Sequence, residues 1–190
     1  DIYIMDPRNP KSARMVLSTD SGGWAASDFA PNGRDLLVFN YISVTDSQLH
    51  IVNVETGAIR QVTRDSAPVA YGNLQFAPDG RLWVSSDKDS DVQRLGVLDT
   101  QTGLFTPMID GGRWDISSFD IAKDGKTIAY VVNEAGFSRL YLYDIATGTK
   151  RQVMGLPPGE IGSGMKFAPW GALGFTVYSN QSPGDAYSLD

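Results

Sequence analysis

Phe29-Ala-Pro-Asn-Gly33 and Phe76-Ala-Pro-Asp-Gly80 are two copies of one five-residue motif. Two further copies, Ile121-Ala-Lys-Asp-Gly125 and Phe167-Ala-Pro-Trp-Gly171, bring the spacings between successive glycines to 47, 45 and 46 residues. A second marker follows the same period: an Asp or Asn ends an alternating apolar run at Asp6, Asn53, Asp99, Asp144 and Asp190. Because two markers share one register, the chain is predicted to consist of repeats of about 46 residues.

Each repeat contains short apolar runs separated by turn residues, and no long segment has the 3.6-residue period of a helix. In the repeat around Gly125 these runs predict strands a to d at residues 119–121, 127–133, 139–145 and 150–154. The Pro-Asp-Gly motif predicts the turn between strands a and b, because proline presets φ, Asp bonds its own backbone and glycine accepts a positive φ. An Asp or Asn followed by Thr-Gly predicts the turn between strands c and d.

Radial repetition of four antiparallel strands in about 45 residues is typical of a β-propeller. We therefore predict an all-β chain with about four blades, present as an open arc of a larger ring. The segments are expected at 1–17 (the end of a blade), 18–64, 65–109, 110–154 and 155–190 (an incomplete blade). They contain seventeen strands, whereas a closed four-bladed ring needs sixteen. The repeated motif also predicts four equivalent buried positions between blades, at Phe29, Phe76, Ile121 and Phe167.

Composition argues against several classes of partner. A net charge of −6 opposes the phosphate neutralisation on which nucleic-acid binding depends, so no nucleic-acid partner is expected. The chain has no cysteine, which removes disulfides and thiolate metal sites and leaves the redox compartment undetermined. No apolar run approaches the roughly 20 residues that span a bilayer, so we expect no membrane partner and a soluble protein, cytoplasmic or periplasmic. Because the chain opens at Asp1 without an initiator Met or a signal-peptide pattern, we interpret it as a piece of a longer protein.

The Phe-Ala-Pro-Asp-Gly turn, followed by an apolar strand and Asp-x-x-Thr-Gly, resembles the repeat of TolB-type propellers and of prolyl-oligopeptidase-like serine peptidases. Several stretches look more like the peptidase propellers, near the dipeptidyl-peptidase and acylaminoacyl-peptidase branches: 131–144, Leu156-Pro-Pro-Gly-Glu-Ile161, 182–190, Asp1-Ile-Tyr-Ile-Met-Asp6 and Gly22-Gly-Trp24. The resemblance covers essentially the whole chain. It implies a ring of seven or eight blades that caps an α/β-hydrolase domain and restricts which peptides reach a Ser-Asp-His triad.

No complete active site is expected within this chain. Gly162-Ser163-Gly164 lacks the spacing of the G-x-S-x-G nucleophile elbow. His50 is the only histidine, and the alternating strand around it, with Leu49 and Ile51 on one face, indicates a surface strand histidine. We therefore predict no catalytic residue, no metal and no cofactor.

Three functions remain open at this point. The resemblance implies a non-catalytic propeller segment that filters and docks peptide substrates for a hydrolase domain of the same parent chain. The alternatives are a TolB-like scaffold that binds proteins, and a propeller lyase or glycosidase, for which no carboxylate pair stands out. Asp87, Asp89 and Asp91 have the alternating spacing that calcium ligands can have. However, Val92 and Leu98 occupy the positions where an EF-hand loop has Gly and Glu, so we predict a solvated hairpin instead of a calcium site.

Candidate binding residues lie on the connections from strand d of one blade to strand a of the next. They are Trp24, Tyr71 and Trp114, with Arg64 and Arg113 nearby. Exposed aromatic and arginine side chains are enriched in binding hot spots. Trp24 and Tyr71 each precede their turn glycine by nine residues, and this equivalence favours packing at the start of strand a over recognition.

Overall fold

The computed structural model describes residues 1–190 and contains eighteen β-strands and no helix. The first two strands, β1 (Ile2–Asp6) and β2 (Asn9–Leu17), form an antiparallel hairpin. The other strands form four antiparallel sheets of four strands each, called blades 1 to 4 in chain order. The prediction of an all-β chain of four-stranded blades is confirmed. The chain also has no helix that could cross a membrane.

In blades 1 to 3, strands a, b, c and d follow one another in sequence, and each pairs with the next. Blade 1 consists of β3 (Trp24–Phe29), β4 (Asp35–Ser43), β5 (Asp46–Asn53) and β6 (Ile59–Gln61). Blade 2 consists of β7 (Tyr71–Phe76), β8 (Leu82–Ser86), β9 (Arg94–Leu98) and β10 (Phe105–Ile109). Blade 3 consists of β11 (Ile116–Ile121), β12 (Thr127–Glu134), β13 (Phe137–Asp144) and β14 (Lys150–Gln152).

Blade 4 differs because its strand a is interrupted. Two short pieces, β15 (Glu160–Ile161) and β16 (Lys166–Phe167), both pair with β17 (Leu173–Tyr178), and β18 (Asp185–Leu189) pairs with the other edge of β17. Residues 162–165 separate the pieces, and a side chain at Gly162 would overlap the ring of Tyr178. The structure therefore has eighteen strands where seventeen are predicted. No sheet joins blade 4 to the N-terminal hairpin, so the arc is open as predicted.

The repeated turn motif closes strands a and b by the chemistry that its residues predict. The Asn32 Oδ1 atom accepts hydrogen bonds from the amides of Arg34 (2.9 Å) and Asp35 (3.0 Å), and Gly33 has a φ of 68°. Asp79 and Asp124 each bond the amide two residues ahead in the same way. Side-chain capping of this kind stabilises the turn locally. In blade 4 the equivalent residue is Trp170, whose side chain is 82% exposed.

The core consists of four apolar clusters, each between successive sheets. Three of the predicted inter-blade positions, Phe76, Ile121 and Phe167, are buried in these clusters. The prediction for Phe29 is wrong, because its side chain is 46% exposed. Phe76 belongs to a cluster that includes strands b and c of blade 1, whereas the sheet that precedes blade 1 consists of β1 and β2 alone. Phe29 therefore lacks the strand b against which its equivalents pack.

A side chain on strand a links each blade to the next, one residue before the repeated apolar position. The acceptors are carboxylate or amide oxygens, and the donors are backbone amides of the following strand a. The three bonds join Phe76 N to Asp28 Oδ2 (2.8 Å), Ile121 N to Gln75 Oε1 (3.2 Å) and Phe167 N to Asp120 Oδ2 (2.6 Å). These inter-blade bonds join strand a of each blade to strand a of the next along the arc.

Candidate functional site

The blades present two different rims. The turn rim carries the a–b and c–d turns, and the loop rim carries the b–c hairpins and the d–a connections. A cleft of about 560 Å³ opens on the loop rim across blades 1 to 3. Its wall includes Phe39 and Tyr41 from blade 1, Tyr71 and Asn73 from blade 2, and Arg113 and Trp114 from the connection to blade 3.

Arg113 and Trp114 form one unit at the edge of this cleft. The guanidinium carbon of Arg113 lies 5.2 Å from the centre of the Trp114 ring, which is within the range of a cation–π interaction. Trp114 is half-buried and packs against the core between blades 2 and 3. Arg113 is exposed and has no ion pair or hydrogen bond within the chain. The guanidinium donors are therefore free.

The connection that carries Arg113 is held at both ends. Asp110 Oδ1 accepts the amide of Gly112 at 2.6 Å, and Asp115 Oδ1 accepts the amide of Gln93 at 2.8 Å. The Asp115 carbonyl also accepts the amide of Asn133 at 3.2 Å. A loop bonded to β12 and to the residue before β9 loses little further entropy when a ligand binds, so Arg113 stands on a pre-organised support.

Tyr71 forms a wall of the cleft and is buried. Its phenol donates to Asp65 Oδ2 at 2.9 Å, and Asp65 also pairs with the ammonium of Lys88 at 2.6 Å. Burial raises the pKa of Tyr71 well above its ordinary value, and the hydrogen bond to Asp65 raises this pKa further. The Tyr71 backbone exchanges two hydrogen bonds with the hydroxyl of Ser47. Tyr71 therefore packs as a fixed structural element.

The other two candidate residues lie outside the cleft. Trp24 is half-buried at the start of strand a of blade 1, and its ring lies 4.8 Å from that of His50. Its position matches that of Tyr71, since each begins its strand. Arg64 is exposed on the connection between blades 1 and 2 and does not line the cleft. The structure thus brings together Tyr71, Arg113 and Trp114, and separates them from Trp24 and Arg64.

The interpretation of His50 as a surface histidine is wrong, because its side chain is buried. Leu49 and Ile51 share one face of β5 as expected, and this face packs against blade 2. The opposite face of β5 is covered by the N-terminal hairpin through Ile2 and Val16. Burial lowers the pKa of His50, and its Nδ1 atom has no hydrogen-bond partner. A catalytic histidine needs a carboxylate that orients it, and none bonds His50 here.

The alternating aspartates do not converge on a common point. Asp87 turns back into blade 2, where its Oδ1 atom accepts the amide of Ala70 at 2.8 Å. Asp89 adopts a left-handed backbone with a φ of 55°, as hairpin residues do. No group of three or more His, Cys, Asp or Glu residues in the chain is arranged to hold a metal ion.

Most of the cleft wall was not predicted from the sequence, and Asn73 and Tyr41 are two examples. Asn73 lies at a bulge in β7 with a φ of 43°, and its amide donates to the carbonyl of Ser117 in blade 3 at 3.0 Å. Asn tolerates this backbone better than most residues, which is a signal that could have identified the bulge. Tyr41 stands near the b–c hairpin of blade 1, with 47% of its side chain exposed. Only the arrangement of blades brings it to the cleft.

No model of a known protein family matches the chain. Two curated proteins are similar to the chain in sequence. Dipeptidyl-peptidase 5 of Porphyromonas gingivalis is 27% identical over 119 residues, which cover 60% of this chain and 17% of that protein. The uncharacterized peptidase YuxL of Bacillus subtilis is 25% identical over 138 residues, which cover 66% of this chain and 19% of that protein. The chain therefore spans less than one fifth of the length of these curated relatives.

Solved structures of peptidases and of TolB have the same fold as this chain. Puromycin hydrolase superposes with a TM-score of 0.79 at 17% identity, covering 95% of this chain and 29% of that one. Prolyl oligopeptidase B of Galerina marginata superposes with a TM-score of 0.77 at 13% identity, covering 95% and 26%. TolB of Acinetobacter baumannii superposes with a TM-score of 0.73 at 19% identity, covering 98% and 45%. The chain is thus an arc of a β-propeller that resembles TolB and the propeller regions of prolyl-oligopeptidase-like peptidases, and its curated relatives are peptidases.

Proposed function

We propose that the chain is a non-catalytic propeller segment of a prolyl-oligopeptidase-like serine peptidase. It would filter and dock peptide substrates for an α/β-hydrolase domain of the same parent protein. The observation that carries this proposal is that both curated relatives are peptidases several times longer than the matched region. The only histidine, His50, is buried away from any carboxylate partner, which supports a role without catalysis.

Blade geometry favours the loop rim as the side that faces the hydrolase domain. Strand d of blades 1 to 3 ends on this rim, so a domain that follows a completed blade begins there. The b–c hairpins of the same rim expose large apolar side chains: Tyr41 (47%), Ile42 (49%), Val44 (82%) and Phe137 (51%). Apolar side chains exposed together commonly mark an interaction surface. A hydrolase domain seated on the loop rim would cover these side chains and enclose the cleft.

Within this proposal, the cleft is where peptides dock. Trp114 and Arg113 would contact the peptide, and Tyr71 would shape the wall behind them. Trp24 and Arg64 would contact only a peptide that extends beyond the cleft along the loop rim. Aromatic rings offer rigid contact area at low entropic cost, which suits a surface that must accept many sequences.

The gene and a serine-directed probe test this function together. We expect the reading frame beyond Asp190 to complete a blade and then encode a domain with a G-x-S-x-G elbow. A fluorophosphonate should label the parent protein but label the 190-residue chain no faster than its denatured form, since an activated serine needs a positioned base. A frame without a hydrolase domain, or labelling of the chain alone, would contradict the proposal.

A pair of variants tests the position of the hydrolase domain. Val44→Asp on the loop rim should loosen the two domains in the parent protein, because it places a charge in an apolar contact. Leu104→Asp is the matched control, since Leu104 is 62% exposed and follows the c–d turn of blade 2 on the turn rim. Limited proteolysis between the domains should accelerate for Val44→Asp only. Equal acceleration for both variants would place the domain elsewhere.

A TolB-like binding scaffold is the second candidate. It is favoured by the superposition on TolB of Acinetobacter baumannii, which covers 98% of this chain. A parent protein of this kind would consist of the propeller and accessory segments without a hydrolase domain. The reading frame beyond Asp190 therefore discriminates between the two candidates directly.

A further inference from the structure

We propose that Arg113, stacked on Trp114, binds a carboxylate group of the docked peptide. This inference rests on the proposed docking of peptides in the loop-rim cleft and names the chemistry that the cleft selects. Arginine is suited to this task because its planar guanidinium can donate two parallel hydrogen bonds to a carboxylate. One face of the guanidinium can remain stacked on an aromatic ring while its N–H edge binds the ligand.

Arg113 differs from the other arginines in what it contacts. Four of them pair with carboxylates in the chain: Arg8, Arg34, Arg81 and Arg139. Two more, Arg60 and Arg94, donate to backbone carbonyls. The remaining three, Arg14, Arg64 and Arg151, have no ion pair and no aromatic ring beneath them. Arg81 also lies over a tryptophan ring, that of Trp83, but its guanidinium is already engaged by Asp79 at 2.7 Å. Arg113 alone combines an aromatic support with free donors.

The cleft around Arg113 supplies the complementary surroundings. Its remaining polar wall is mostly uncharged and includes Asn73, Gln93 and Asn133. Asp115 is the one carboxylate in the wall, but one of its oxygens accepts the Gln93 amide, and it forms no ion pair with Arg113. Arg113 is thus the only cation that faces the ligand. A carboxylate is the anion that a docked peptide can offer.

The aromatic wall indicates what stands beside that carboxylate. Tyr41, which is 47% exposed, lines the cleft on the side of blade 1, and Trp114 lines it on the side of blade 3. An apolar side chain next to the carboxylate would lie between these rings and exclude water from the ion pair. Charge-assisted hydrogen bonds strengthen when water is excluded. The inferred ligand is therefore a peptide with an apolar residue adjacent to its carboxylate.

The experiment compares three peptides on the 190-residue chain by isothermal titration calorimetry. They are acetyl-Ala-Ala-Phe with a free C-terminus, the same peptide as its C-terminal amide, and acetyl-Ala-Asp-Phe amide. We expect the free acid to bind at least about tenfold more tightly than the amide, because the amide cannot accept two hydrogen bonds from the guanidinium. If the Asp-containing amide binds as tightly as the free acid, the site accepts either a C-terminal or a side-chain carboxylate. If it binds weakly, the carboxylate is the C-terminus.

Three variants assign the effect to Arg113. Arg113→Gln should reduce the preference for the free acid to less than about twofold, and Arg113→Lys, which keeps the charge but loses the planar fork, should retain part of it. Arg14→Gln is the matched control and should keep the full preference, because Arg14 is also exposed and unpaired but lies on β2, outside the cleft. Because Arg113 is exposed and its substitution removes only the weak contact with Trp114, its variants should unfold within a few degrees of the unaltered chain.

Two results would overturn the inference. Equal binding of the acid and the amide, or an undiminished preference in Arg113→Gln, would show that Arg113 does not bind the carboxylate. If the peptides bind but show no preference, docking itself survives and only the carboxylate inference fails. If none of the three peptides binds, the docking function fails with it.

Discussion

Asp120 provides the most direct test of how the blades are held together. Its side chain is only 2% exposed, and its two oxygens accept the Phe167 amide and the Lys166 ammonium, each at 2.6 Å. Asp120→Ala would leave the Phe167 amide without a partner at the boundary between blades 3 and 4. A hydrogen bond to a charged group contributes about 1.5–3 kcal/mol to stability. The ion pair adds less than about 1 kcal/mol, because the Lys166 side chain is 61% exposed.

The expected loss for Asp120→Ala is therefore about 3 kcal/mol in the free energy of unfolding. Asp120→Asn should lose about 1 kcal/mol, since its amide oxygen can still accept from Phe167 N. Gln75→Ala is the matched variant at the equivalent position one blade earlier. It removes a neutral and longer bond of 3.2 Å to Ile121 N, and should also lose about 1 kcal/mol.

Urea unfolding monitored by tryptophan fluorescence measures these differences. Hydrogen exchange at the Phe167 amide gives a local measurement, and a loss of about 3 kcal/mol corresponds to exchange faster by roughly 100-fold. The reasoning fails if Asp120→Ala unfolds at the same urea concentration as Gln75→Ala. It also fails if exchange at the Phe167 amide is unchanged, because the inter-blade bond would then contribute nothing.

Three further predictions concern the stability and the association of the chain. Gly96→Ala should destabilise the chain by about 1–3 kcal/mol in thermal unfolding, because its Cβ would collide with the carbonyl oxygen of Thr106 in strand d; Gly22→Ala, which meets no neighbour, is the control. Burial raises the pKa of Tyr130 to about 12, so the folded chain holds this proton where the unfolded chain releases it. The free energy of unfolding, measured by urea titration, should not depend on Tyr130 below pH 10 and should fall between pH 10 and about 12. Tyr130→Phe should make this fall less steep, and an unchanged slope would contradict the prediction. The open arc exposes Tyr3 (60%) and Met5 (56%) beside the unpaired edge of β1, so size-exclusion chromatography should show association as the protein concentration rises. Amide hydrogen exchange should be fastest in residues 1–17 and 165–190 and slowest in blades 2 and 3. A strictly monomeric particle with protected ends would count against this last prediction.

Local chemistry explains why the sequence alone predicts the blades. The a–b turn forms from residues that bond one another across two or three positions, as Asn32, Asp79 and Asp124 do. Strands form from short runs of apolar residues that are adjacent in the chain, and several of these runs are buried on both faces of their sheet. Both signals are short in range and recur in every repeat, so the fold class, the order of strands and the turn positions follow from the sequence.

Tertiary structure decided everything that depends on which sheet lies next to which. Phe29 and Phe76 occupy the same position in their repeats, yet only Phe76 is buried, because blade 1 covers it with four strands while a two-stranded hairpin precedes Phe29. The same hairpin buries His50, whose strand pattern predicted a surface position.

The cleft follows the same principle. Tyr41, Tyr71 and Trp114 come from three blades separated by 30 or more positions in the chain, and no spacing in the sequence relates them. Their proximity depends on the angle between neighbouring blades, which is set by the packing of apolar clusters and by the inter-blade bonds. A repeat in the sequence therefore determined each blade, and the contacts between blades determined the cleft, because a side chain's neighbours across an interface are not encoded by its own segment.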